Sequence, residues 1–173
     1  MAALCLLVLG SGCSPVKVHH DFDTGADFRT YATYDWLENR PGYSGPPAQL
    51  SDPIDMLVRS AVVGELVKKG YEENSDDPDV ILYYHKGLGD QIDVSNWGYR
   101  YARTYWGWHG RGADVYTYRA GTLIVDLIDA DTMTLAWRGA AQSTIDEYPT
   151  LEKARETIPE AVRSIFNGYP PAQ

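Results

Sequence analysis

The chain has 173 residues, enough for one domain with its own core and too few for two comfortable ones. Its composition, 44% hydrophobic and 12% aromatic, excludes wholesale disorder. The net charge of −9 argues against a nucleic-acid partner, because neutralising phosphates needs a basic face.

Residues Ala2 to Leu9 form a short uncharged apolar run. It is far below the roughly 20 residues of a spanning helix, but fits the apolar core of a secretory signal, about 7–15 residues long. Small residues follow, Gly10, Ser11 and Gly12, directly before Cys13. They let an extended backbone enter a peptidase cleft, and the thiol behind them can take a thioether-linked diacylglycerol. The segment resembles a lipobox. Residues 1–12 are therefore read as a partial signal peptide, 13–20 as lipidated cysteine and tether, and 21–173 as one α+β domain. No Lys or Arg precedes Lys17, so a start codon upstream of Met1 is expected. By resemblance to sorted lipoproteins, Ser14 after the cysteine implies the outer membrane, periplasm-facing. The other cysteine, Cys5, lies inside the signal, so the body can hold neither a disulfide framework nor a cysteine metal site.

Along the body, Val16–Asp23 begins with the alternation of a half-exposed strand, and Phe28–Leu37, rich in aromatic and β-branched residues, reads as another. Asn39–Gln49, with three prolines and two glycines, is a loop. Asp52 is a good N-cap and Pro53 suits the first helical position. Ile54, Leu57, Val58, Ala61, Val62 and Leu66 then form one apolar stripe, closed by Lys68, Lys69 and Gly70. Val80–Lys86 is a nearly continuous apolar strand, expected at the centre of a sheet. Gly87–Ala113 is a long glycine- and aromatic-rich loop. Val115–Ala120, Thr122–Ile128 and Thr134–Gly139 read as strands, with Asp129–Thr132 as the turn before the last. A final helix covers Leu151–Phe166. Pro159 predicts either a kink or a restart capped by Thr157. The expected architecture is α+β: an antiparallel or mixed sheet of about five or six strands with two helices packed on one face.

The order of motifs carries a family resemblance. Asp27–Phe28, Thr33–Tyr34–Asp35–Trp36–Leu37 and Lys69–Gly70–Tyr71 lead to Pro78–Asp79–Val80–Ile81–Leu82 with Tyr84–His85. Then come Gly121–Thr122–Leu123–Ile124–Val125–Asp126–Leu127, Leu135–Ala136–Trp137–Arg138–Gly139, and Tyr169–Pro170–Pro171. Together with Cys13 these resemble the bacterial lipoproteins grouped as domain of unknown function 4136. The resemblance implies an envelope lipoprotein with an α+β domain, and transfers no catalytic residue.

No catalytic constellation emerges. The adjacent His19 and His20 point to opposite faces of a strand, while His85 and His109 stand apart, so the histidines are read as surface or core residues rather than metal ligands. There is no Gly-x-Ser-x-Gly elbow, and Ile92 occupies the third glycine position of the pattern begun by Gly87 and Gly89. Asp126, Asp129 and Asp131 are assigned turn and strand-edge roles. No cofactor is expected.

The unusual stretch is Trp97–Tyr118, where Trp97, Tyr99, Tyr101, Tyr105, Trp106, Trp108, Tyr116 and Tyr118 interleave with Arg100, Arg103 and Arg111. Aromatic faces stack on sugar rings or settle at a bilayer interface, and arginine pairs with phosphate or carboxylate. This locally basic loop is the candidate contact surface for peptidoglycan, lipopolysaccharide, the bilayer or an envelope protein; packing against the sheet is the competing reading. The expectation is a membrane-anchored, non-enzymatic envelope module. The rivals are a hydrolase of envelope polymers and a subunit of a larger assembly, the latter to be marked by an exposed apolar patch.

Overall fold

The computed structural model describes residues 16–43, 45, 50–87, 92–93, 117–118, 121–142 and 150–172. Six strands form one mixed sheet. In chain order they are β1 (Lys17–Phe22), β2 (Thr33–Trp36), β3 (Glu72–Glu73), β4 (Val80–Gly87), β7 (Thr122–Asp129) and β8 (Leu135–Gln142), with spatial order β1-β8-β7-β4-β2-β3. Between β4 and β7 in sequence, β5 (Ile92–Asp93) and β6 (Thr117–Tyr118) pair as a separate two-stranded ladder. The pairs β1–β8, β8–β7 and β7–β4 are antiparallel, whereas β4–β2 and β2–β3 are parallel. Helices α1 (Pro53–Lys68) and α2 (Leu151–Phe166) complete the α+β fold.

Both helices bury their apolar faces on one side of the sheet. Val58, Val62 and Leu66 of α1 and Val162, Ile165 and Phe166 of α2 share a core with Val80, Leu82, Val125, Leu127 and Trp137. Alternation along the strands puts these residues on one face, while Ile81, Ile124 and Asp126 point to the other.

Local chemistry accounts for most of the elements. Asp52 caps α1, its Oδ1 accepting from the Ile54 amide at 2.7 Å, and Gly70 ends the helix at φ +88°. The central placement of β4, between β7 and β2, matches its continuous apolar run. β1 lies at the sheet edge and starts at Lys17, so the sheet takes in residues assigned to the tether.

Two expectations are corrected. The strand expected over 28–37 is only Thr33–Trp36. Ahead of it, Asp23 and Asp27 fold the chain into turns: the Gly25 amide donates to Asp23 Oδ1 (2.8 Å), and the Arg29 side chain grips Asp27 (2.8 and 2.9 Å). Phe28 is still buried, edge-on to Phe22, Tyr31 and Tyr169. Strand β2 then starts where the Asp79 carboxylate captures the Ala32 and Thr33 amides at 2.9 and 2.8 Å. The second correction concerns α2, which is one helix from its Thr150 cap through Pro159. Thr157 is not a new cap; its hydroxyl bonds back to the Lys153 carbonyl at 3.0 Å.

Candidate functional site

The register gathers four chain positions at one end of the sheet. β4 and β7 pair down to Gly87↔Thr122, β7 and β8 to Thr122↔Gln142, and β1 and β8 to Lys17↔Gln142. Gly87, Thr122, Gln142 and Lys17 therefore stand side by side. The chain arrives here from Cys13, and the segment between β4 and β7 leaves and re-enters the fold at this same end. The α1 N-terminus is here too, with Lys86 Nζ 2.8 Å from Asp55 and 3.3 Å from Asp52. Cys13 itself and the candidate contact residues Trp97, Tyr99, Arg100, Tyr101, Arg103, Tyr105, Trp106, Trp108 and Arg111 lie outside the described residues.

On the sheet face away from the helices sits a buried ionic cluster. Asp126 and Arg138 are direct neighbours across β7 and β8, joined by two contacts of 2.6 Å. His85 Nε2 lies 3.6 Å from the second Asp126 oxygen, and the Tyr83 ring meets the His85 ring edge-on at 4.7 Å. His85, Asp126 and Arg138 are all buried. Burial by itself would raise the Asp126 pKa, but the Arg138 charge and hydrogen bonds, with His85, outweigh it and bring it down to about 2. The carboxylate thus stays ionised at neutral pH, where it cannot act as a proton donor. Asp126 does not hold the turn or strand-edge role expected of it: it ties together the middle of the sheet. The available signal was its position, a lone acid in Thr122–Ile128 and a lone base in Thr134–Gly139, both inside apolar strands.

The opposite end of the sheet carries an open cleft of about 190 Å³, lined by Asp23, Asp27, Thr30, Tyr31, Asp129 and Thr132 among others. Tyr31 Oη donates to Asp129 at 2.7 Å, and the Thr132 amide and hydroxyl both donate to its other oxygen at 2.7 Å. Desolvation pushes the Asp129 pKa up, but these hydrogen bonds outweigh it and hold the carboxyl below its usual range. Asp129 fills the turn role expected of it. The cleft carboxylates engage local donors rather than each other, and Asp27 is taken by Arg29.

The histidines separate. His19 is exposed, His20 Nε2 lies 2.8 Å from the Ile165 carbonyl and packs over Trp137, and His85 joins the cluster above. Among the described residues no three His, Cys, Asp or Glu side chains converge as metal ligands would. Nor is any helix among them long and apolar enough to cross a membrane.

Comparison with known proteins places this fold. No curated protein matches the chain. Among solved structures, a DUF4136 family protein from Bacteroides thetaiotaomicron superposes with a TM-score of 0.57 at 16% identity, covering 90% of this chain and 96% of that one. A PDZ domain protein from Parabacteroides distasonis gives 0.51 at 13% identity, covering 90% of this chain and 36% of that one. At such identities the likeness is one of fold. The family model described as domain of unknown function (DUF4136) matches residues 18–171, from the first strand to the closing prolines, and the chain belongs to that family.

Proposed function

We infer that this protein is a lipid-anchored module of the bacterial cell envelope, acylated at Cys13, facing the periplasm from the outer membrane, with a non-enzymatic binding or structural role. One observation carries the reading: Lys17, Gly87 and Thr122 meet at one end of the sheet. Lys17 follows Cys13 by four chain steps, a reach of at most about 14 Å. An acylated Cys13 would therefore hold this end against the bilayer, and the connection that contains Trp97–Arg111 in sequence departs from Gly87 and returns to Thr122 at the same end. Tryptophan and tyrosine favour the headgroup region and arginine pairs with phosphate, so the composition of the segment suits that position. Among the described residues Asp27, Asp52, Asp79, Asp126 and Asp129 are all shifted down, so none of these five is held protonated at neutral pH. A general acid needs the opposite shift.

The test is intact mass and membrane fractionation of the protein expressed from its native upstream region, beside Cys13→Ala. Diacylglyceryl mass on the wild type, with the variant released from the membrane, is the expected result. An unmodified, soluble wild type would overturn the anchor.

A further inference from the structure

Of the four asparagines in the chain, only Asn167 is followed by glycine. The pair closes α2: Asn167 is its C-terminal cap, and the Gly168 amide donates to the Ile165 carbonyl at 3.3 Å. Unlike Gly42, Gly70 and Gly121, Gly168 has no positive φ that would call for glycine. A neighbour calls for it instead. A Cβ on Gly168 would strike the His20 imidazole, and that ring is held in place, with Nε2 2.8 Å from the Ile165 carbonyl and its centre 5.6 Å from that of Trp137. The glycine that lets β1 lie against the end of α2 thus leaves an asparagine before an amide nitrogen that no neighbouring Cβ shields.

Among the described residues the other asparagine side chains are tied down. Asn39 Nδ2 donates to Asp35 Oδ1 at 2.7 Å. Asn74 Nδ2 donates to the Asp77 carbonyl at 2.8 Å, while its Oδ1 accepts from the Asp76 and Asp77 amides at 3.2 Å. Asn167 is exposed, and its side chain makes no hydrogen bond to a described residue.

Asparagine is among the heat-labile residues, and a following glycine opens its route of decay. The Gly168 nitrogen gives up its proton and bonds to Asn167 Cγ, and the side-chain nitrogen leaves as ammonia with that proton. Water then opens the five-membered imide. Attack at Cγ leaves an aspartyl side chain, whereas attack at the main-chain carbonyl leaves an isoaspartyl link, with one more carbon in the backbone. The folded chain holds the first step back. Ring closure needs a ψ far from the helical value, and Asn167 stands at φ −63° and ψ −23°, with the Gly168 nitrogen bonded to Ile165. Opening of the last turn of α2 removes both restraints. The product then carries a negative charge at the negative end of the helix, and the isoaspartyl link displaces Gly168 relative to His20.

We propose that Asn167–Gly168 is a site of spontaneous deamidation, gated by the last turn of α2, and that the product loosens β1 from that helix. The inference does not depend on acylation of Cys13.

The experiment incubates the full-length protein in detergent at mildly alkaline pH, folded and in urea, and follows amide-to-acid conversion by peptide mass mapping. Conversion is expected at Asn167 ahead of Asn39 and Asn74, about ten- to a hundredfold slower folded than in urea. His20→Ala removes the ring bonded to Ile165, so it should speed the folded reaction several-fold and leave the rate in urea unchanged. Converted protein, separated by its added negative charge, should melt a few degrees lower than unconverted protein. Asn167→Gln incubated alongside should keep its melting temperature, which sets aside other ageing. Equal rates folded and in urea, or a His20→Ala rate equal to wild type, would overturn the gate. Folded protein that converts first at Asn39 or Asn74, or not at all within the time a hundredfold slowing allows, would overturn the site. An unchanged melting temperature after conversion would overturn the link to β1.

Discussion

Asp126 and Arg138 form a two-pronged ion pair across β7 and β8, with both contacts at 2.6 Å and both residues buried. Twelve residues apart in sequence, they are direct cross-strand neighbours. Removing one partner leaves the other charge buried without its counter-ion. Arg138→Met should therefore destabilise by about 3–5 kcal/mol in urea unfolding, and the double change Asp126→Leu with Arg138→Met by far less. A single variant no worse than the double would contradict this account of the pair.

The same pair sets an acid limit. The folded pKa of Asp126, about 2, lies below its ordinary value of 3.8. The stabilisation is thus complete above about pH 4 and is lost as pH falls towards 2, a contribution on the order of 2 kcal/mol. Unfolding free energy measured from pH 6 to pH 2 should fall less steeply in the double variant than in the wild type.

At the alkaline side the tyrosines matter. Tyr71 and Tyr169 hydroxyls are hydrogen-bonded to each other in the core, and burial raises the pKa of both. Raised folded values mean stability that is intact below about pH 10 and lost as pH rises beyond it. Tyr71→Phe alone strands the Tyr169 hydroxyl, at a cost of about 1–3 kcal/mol at neutral pH. Changing both to Phe should cost less and flatten the decline above pH 10, read by circular dichroism against pH.

Gly139 lies where β8 passes beneath α2. A Cβ there would strike the Trp137 ring and the Ile165 side chain, both fully buried. Gly139→Ala should cost about 1–3 kcal/mol through overpacking, lowering the melting temperature by several degrees. An unchanged melting temperature would mean that the helix can lift without penalty.

Asp52 caps α1 and also faces Lys86. Asp52→Ala should lose about 1 kcal/mol and Asp52→Ser most of a kcal/mol less, since serine retains the cap. Equal losses in urea unfolding would assign the effect to Lys86 instead.

Much of this fold was legible in the sequence. The Asp52–Pro53 start and Gly70 stop bound α1, and the runs at Val80 and Thr122 marked the two strands that lie deepest in the sheet. These signals are local: a cap, a glycine or a hydrophobic period acts within a few residues. The family resemblance read from the strand motifs also held, over residues 18–171. The aromatic–arginine stretch was equally visible as composition, because interleaved tryptophan and arginine need no fold to be recognised.

Other features depended on contacts between distant residues. The strand expected from Phe28 gave way to aspartate turns, and its true start was fixed by Asp79, a carboxylate 46 positions away from Thr33. Pro159 did not break α2, because packing of Val162, Ile165 and Phe166 into the core holds the helix through it. The sequence alone determined most of the helices and strands, the apolar stripe by which α1 meets the core, and the cysteine motif before the domain. Only the tertiary structure decided that His85, Asp126 and Arg138 meet, and that Lys17, Gly87 and Thr122 share one end of the sheet. The physical reason is register. Periodicity tells each strand which face to bury, but the neighbour across the ladder is chosen by the packing of the whole sheet.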